Sequence, residues 1–345
     1  MKRIAVPILS GLLAGSMLYF PSEAALAAAD AMRLWALAVL PSLFPFLVCM
    51  LFAAGSLPNS SRKGSNRLLG LPSGMAALWL MGLLSGSPGG ARLVQELSLD
   101  HNAGKSAAKR FALYTGTMSP MFFVGTLGSW LHNTSLGWLM LLCHLLGAFI
   151  TGQLSRLIFS TPILPLHENS VSKKPFALAH VIQSAAMAML TVCGLMVLGS
   201  VAAKMVQCTM PNLPECMLAG LQALMEVTAG CSRIMRLSFL SADPALRPAL
   251  LCAAASFSGL SILLQNLAFL QESGVSLLFL LSGAFCKSIM SFSLCYLLFP
   301  LSGTPAAAAS TVAPTFSYHM PAALIIVWFL CLLLPDLLNR KKLFS

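Results

Sequence analysis

The sequence predicts an all-α polytopic membrane protein, with about eight transmembrane helices plus two re-entrant hairpins arranged as inverted structural repeats. Three observations predict it. The 345 residues are 57% hydrophobic and only 9% charged, where a soluble domain carries roughly 25% charged residues, and mean hydropathy is +0.83. Two apolar stretches, 81–97 and 224–237, are broken by small and polar residues in matching positions of two halves. The basic residues lie in short loops between apolar runs and sort to one side.

The first element is the apolar run 4–20 behind Lys2 and Arg3, which ends at Pro21 and is followed by the small-residue stretch 22–29. It reads as an uncleaved first span, with a cleaved signal peptide as the alternative. The next span covers 34–54, and its Pro41 and Pro45 remove helix donors and predict a kink. A basic loop with Arg62, Lys63 and Arg67 leads to the first interrupted segment, 74–97. Its apolar run is shorter than the roughly 20 residues a crossing needs. It breaks at Ser85-Gly86-Ser87-Pro88-Gly89-Gly90 and restarts with Arg92 and Glu96. Lipid cannot satisfy the backbone groups freed there, so the break must sit in protein or line a wet cavity.

A span over 111–131 is interrupted at Tyr114-Thr-Gly-Thr-Met-Ser-Pro120. The span 136–159 carries His144 and Leu145-Leu-Gly-Ala-Phe149, and a polar linker with Lys173 and Lys174 follows. The second half repeats the order. A span at 180–203 precedes the second interrupted segment, 216–237, with its break at Thr228-Ala229-Gly230 ahead of Arg233. The span 248–270 holds the polar patch Ser256-Phe-Ser-Gly-Leu-Ser261, then Gln265 and Asn266. The span 275–299 holds Leu281-Ser-Gly-Ala-Phe285 and Lys287, and a last span at 320–338 ends in Arg340-Lys-Lys342. The domains are then an N-terminal helix and connector (1–30), a first repeat (31–160), a cytoplasmic linker (161–176), a second repeat (177–302) and a C-terminal helix with a basic tail (303–345).

With eight crossings and two hairpins that do not cross, both termini share one side. Lys2, Arg3, Arg62, Lys63, Arg67, Lys105, Lys109, Arg110, Arg156, Lys173, Lys174, Arg340, Lys341 and Lys342 then face inward, while Arg33, Lys204, Arg236 and Arg247 face outward. That satisfies the positive-inside bias. It also makes the repeats inverted, with one hairpin entering from each face.

The net charge of +11 is therefore a topology signal, and no nucleic-acid partner is expected. The 10 cysteines are scattered singly through apolar runs as small hydrophobes. Cys208 and Cys216 flank one outer loop and could pair, but no CxxC spacing points to a metal. No ordered nucleophile–base pair or phosphate loop is present, so neither an enzyme nor a cofactor is expected. Paired interrupted segments point instead to a transporter substrate site at mid-membrane.

The candidate site follows from that. Arg92, Arg233 and Lys287 are intramembrane cations, costly unless used or paired. Arginine presents a planar fork to a carboxylate. Glu226, Ser85, Ser87, Thr117, Ser119, Ser256, Ser258, Gln265 and Asn266 offer polar groups, with the backbone at Gly89 and Gly90. The structural alternatives are pairs of Arg92 with Glu96 and of Arg233 or Lys287 with Glu226, helix packing through small residues, and a helix-packing role for His144.

Pro41-Ser-Leu-Phe-Pro-Phe46, Gly86-Ser-Pro-Gly-Gly-Ala-Arg92 and Phe257-Ser-Gly-Leu-Ser261 resemble the YlbJ-type sporulation integral membrane proteins of the nucleoside-recognition (Gate) superfamily. The resemblance covers about 30–300 and implies movement of dipicolinic acid across the mother-cell-derived outer forespore membrane. Concentrative nucleoside transporters are similar at greater distance. Their Asn-Glu-Phe motif falls on Met225-Glu-Val227 and their Phe-Ala-Asn-Phe-Ser-Ser-Ile-Gly motif on Ala254-Ala-Ser-Phe-Ser-Gly-Leu-Ser261. Their first-hairpin glutamine and glutamate, which grip the nucleobase, are absent here. The expectation is an integral membrane carrier of a small anionic solute, in contact with the bilayer, with a homo-oligomer left open. A neutral-solute or nucleoside carrier and a non-transporting sporulation scaffold are the alternatives.

Overall fold

In an apolar surround, helix is the conformation that satisfies the backbone from within, and nearly every described segment is helical. The computed structural model describes residues 2–56, 65–66, 71–72, 82, 86–87, 89–91, 105–158, 178–270 and 274–302. Helix α1 is Lys2–Tyr19. Pro21 then opens α2, Pro21–Leu34, where a missing N–H costs nothing in the first turn. The two helices bend by 107° at that point. The stretch expected as a connector is therefore helix.

A π-helical turn, Trp35–Val39, carries α2 into α3, Leu40–Ser56. The Leu40 N–H reaches back to the Trp35 carbonyl, so the ladder is re-paired next to Pro41, which has no donor. After a two-residue antiparallel pairing of Ser65–Asn66 with Leu71–Pro72, α4 runs over Lys105–Thr115. It stops at the expected interruption, and residues 116–119 are irregular. Helix resumes at Pro120 and passes through a π-helical stretch, Phe122–Leu127.

Five helices and a helical hairpin make up most of the remaining described residues. They are α5, Thr134–Ile158, α6, Leu178–Thr209, the pair α7, Glu215–Met225, and α8, Val227–Arg236, then α9, Leu246–Phe257, α10, Gly259–Leu270, and α11, Leu277–Leu298.

The second break differs from expectation in position. It falls at Glu226, whose backbone is extended (φ −140°, ψ 116°), while residues 228–230 form the first turn of α8. The cause is the Glu226 carboxylate, which accepts the N–H groups of Thr228 at 3.0 Å and Ala229 at 2.6 Å. An acidic N-cap satisfies the donors that a helix start leaves free, so helix begins immediately after it. Gly230 lies so close to Ala223 that a Cβ would meet its backbone. Helices α7 and α8 are therefore folded side by side as a helical hairpin.

A third interruption lies where a continuous span was expected. Between α9 and α10, Ser258 and Gly259 both adopt left-handed backbone (φ 74° and 71°). A Cβ on Gly259 would approach the Val227 nitrogen to 3.1 Å, so this break abuts the hairpin tip.

Among the described residues, four helical stretches are long and apolar enough to cross a bilayer: Thr134–Arg156, Leu178–Thr209, Leu246–Leu270 and Leu277–Leu298. The bent pair Ser10–Tyr19 and Pro21–Leu37 makes a fifth if it counts as one span. Leu18, Leu37, Leu190, Leu278 and Phe285 expose large apolar side chains, as a lipid-facing surface requires. The protein is an integral membrane protein. The last expected span, 320–338, and most of the first interrupted segment lie outside the described residues, and Cys208 and Cys216 are free thiols.

Candidate functional site

Breaking a helix frees backbone donors and acceptors, and each must find a partner. At the 116–119 break the partners come from three other segments. The Lys287 ammonium donates to the Gly116 carbonyl. The Thr117 carbonyl accepts the Ser87 N–H at 2.7 Å, and the Met118 N–H donates to His144 Nε2 at 3.1 Å. Gly86, itself left-handed at φ +64°, brings its backbone so near that a Cβ would stand 2.6 Å from the Ser119 nitrogen.

His144 reaches further. Because Nε2 accepts, the neutral ring carries its proton on Nδ1, which donates to Ser256 Oγ at 2.8 Å. The ring also packs on Phe123 with centroids 4.7 Å apart. One imidazole thus ties the 116–119 break to the end of α9, two residues ahead of the left-handed step at Ser258. The Ser87 hydroxyl donates to Asn266 Oδ1, fastening the first interrupted segment to α10.

These interruptions surround a cavity of about 280 Å³, near the small end of ligand pockets, roughly 300 Å³. Its polar wall includes Ser87, Ser119, Glu226, Thr228, Ser261 and Gln265. Its apolar wall comes from Leu34, Val39 and Leu43 on one side, Val192 and Met196 of α6, and Phe122. Ser261 Oγ and Gln265 Nε2 are buried and have no hydrogen-bond partner among the described residues.

The expected site residues divide as follows. Ser87, Ser119, Glu226 and Gln265 line the cavity. Thr117, Ser256, Ser258, Asn266 and Lys287 are buried in the structure that backs it. Gly89 and Gly90 are buried as well, and the missing Cβ of Gly90 admits the Thr115 carbonyl. Ser85 and Arg92, with Glu96, lie outside the described residues.

Arg233 sits apart, in a second pocket of about 500 Å³ with Glu215, Cys216, Arg236 and Phe239. Its Nε is 3.3 Å from a Glu215 carboxylate oxygen, and its guanidinium donates to Gln222 at 3.3 Å. Its partner is thus Glu215 rather than Glu226, because the hairpin turns at Glu226 and lays Arg233 back along α7. Lys287 likewise bonds a backbone carbonyl rather than Glu226. Three polar cavity residues, Thr126, Thr228 and Ser261, are not among the candidates that the sequence offers. Thr228 reads there as part of the break itself, and Ser261 carries a signal in its i, i+4 spacing from Gln265.

The sequence is 27% identical over 153 residues to the sporulation integral membrane protein YlbJ of Bacillus subtilis (strain 168). This chain is similar to a sporulation membrane protein. The likeness to YlbJ covers 42% of this chain and 37% of the relative, and it agrees with the YlbJ-type resemblance read from the motifs. No family model matches the chain, and no solved structure matches it.

Proposed function

We propose that this protein is a carrier that moves a small anionic solute, dipicolinic acid, across the outer forespore membrane during sporulation. The observation that carries the reading is the cavity of about 280 Å³ where three interrupted helical segments meet. Broken helices with freed backbone ends are how carriers build a solute site at mid-membrane. Lys287, buried behind the 116–119 break whose Met118 and Ser119 line the cavity, would lend that wall positive potential. The sporulation setting follows from the name of the relative, and dipicolinate from the family resemblance.

We read the two halves as inverted repeats that rock against each other. Support comes from the paired breaks at 116–119 and 258–259. It comes also from the close packing of α5 on α11, where Gly147 abuts Lys287 and Ser291. Each of those helices carries one Leu-x-Gly-Ala-Phe sequence.

A second reading, a carrier of a neutral solute such as a nucleoside, is favoured by one feature. The acid Glu226 is on the cavity wall, while the cation Arg233 is not. Flux into vesicles containing the purified protein separates the two. The anion reading expects saturable dipicolinate movement, absent from empty vesicles, with uridine excluded. It also expects Lys287→Gln to weaken dipicolinate affinity relative to uridine, because positive potential is removed from behind the 116–119 break. Uridine movement without dipicolinate movement would transfer the conclusion to the neutral carrier.

A further inference from the structure

Two polar side chains on α10 each carry a buried atom with no hydrogen-bond partner among the described residues, and both line the same cavity. Ser261 is 5% exposed and Gln265 is 2% exposed. Both Ser261 Oγ and Gln265 Nε2 lack a hydrogen-bond partner among the described residues, and both residues line the cavity. Buried polar groups are rarely left unbonded, because each costs free energy until something bonds it. At i and i+4 the two lie one above the other on a single helix face. They therefore present one continuous polar edge.

The rest of the wall states what that edge can accept. Close beside that edge, where Ser261 and Glu226 both flank Gly199, both Glu226 carboxylate oxygens are held by the backbone N–H groups of Thr228 and Ala229. The positive start of α8 is thus already neutralised by its own cap, and a solute carboxylate gains nothing there. The Asn266 Oδ1 atom, one residue beyond Gln265, is taken by Ser87. Open on α10 are the Gln265 amide N–H₂ and the Ser261 hydroxyl, with apolar side chains such as Phe122 and Val192 on the same wall. An amide N–H₂ only donates. Its match is an oxygen acceptor on a small molecule with an apolar body.

We infer that Ser261 and Gln265 form the recognition edge for the solute, binding a carboxylate or carbonyl oxygen attached to a small ring, and so set which solutes the carrier accepts. This rests on the carrier reading above. It distributes the roles within the cavity: α10 reads the acceptor oxygen, and Glu226 at the neighbouring hairpin tip stays committed to its own helix cap.

The test uses the full chain in detergent and in vesicles, with dipicolinate and uridine as probes and the variants Ser261→Ala, Gln265→Met and Gln265→Glu. Removing an unbonded buried polar group leaves the solute-free protein as stable as wild type or more so. The melting temperature without solute is therefore expected to hold or rise for Ser261→Ala and Gln265→Met. The solute-induced rise in melting temperature is expected to shrink, with affinity down about ten- to a hundredfold for Gln265→Met, as befits a bond to a charged acceptor. Gln265→Glu, which replaces the donor with a second acceptor, should abolish dipicolinate binding. Wild-type affinity in Ser261→Ala and Gln265→Met would overturn the recognition edge while leaving the carrier reading intact. Wild-type protein that neither moves nor is stabilised by either probe would overturn the carrier reading, and the edge with it.

Discussion

His144 has no exposed surface and commits both ring nitrogens to interrupted segments, Nε2 to the Met118 N–H and Nδ1 to Ser256. Its sequence neighbours gave only a histidine in an apolar helix, for which packing was the plain reading. Its partners make it the link between the two broken spans. His144→Phe keeps an aromatic ring against Phe123 but strands a backbone N–H and a hydroxyl. The expected loss is about 1–3 kcal/mol, read from thermal unfolding in detergent. Unchanged stability would show that the 116–119 break is held by other contacts. Lys287 is comparable, since its ammonium caps the Gly116 carbonyl. Its substitution is therefore best judged by the ratio of solutes moved, with protein level as a control.

The α7–α8 hairpin is held by shape more than by charge. Gly230 against Ala223 leaves no room for a side chain, so Gly230→Ala should cost about 1–3 kcal/mol by overpacking. Unfolding curves for that variant check it, and a neutral result would mean that the two helices can part without loss. The Arg233–Glu215 contact is different, because the Glu215 side chain is 68% exposed. Such pairs contribute at most about 1 kcal/mol. Arg233→Gln is expected to lower hairpin stability slightly and to leave solute affinity unchanged. The exchange Glu215→Arg with Arg233→Glu should restore what is lost. A tenfold loss of affinity in Arg233→Gln at unchanged melting temperature would return the guanidinium to the solute site.

Across the whole molecule, the hairpin has a consequence for topology. Helices of 11 and 10 residues span roughly 15 Å each at 1.5 Å per residue, half the hydrocarbon thickness. The segments before α7 and after α8 should therefore face the same side of the membrane. Cysteines placed at Asn212 and Ser241, in a background without the exposed native thiols, are expected to label from one side only. Labelling from opposite sides would convert the hairpin into a crossing and remove the basis for inverted repeats. The same experiment at residues 72 and 100 examines the first interrupted segment.

The sequence by itself determined the membrane class, the main helices and the presence of interruptions in three regions. Hydropathy and backbone breakers act locally: a long apolar run excludes other folds in lipid, and Tyr114-Thr-Gly-Thr-Met-Ser-Pro120 interrupts helix wherever it sits. Even so, the residues Thr228-Ala229-Gly230 place the second break two residues late, because the cap that starts α8 is a side-chain bond from Glu226 and not a breaker residue. The left-handed step at Ser258 and Gly259 passed as a polar patch, since what makes it necessary is the hairpin tip pressed against it. Only the tertiary structure decided which polar groups share a cavity. It joined Ser87, Glu226, Ser261 and Gln265 and sent Arg233 to Glu215. A buried charge or amide takes its partner from whichever helix is packed beside it, and adjacency between distant helices is not written in local sequence.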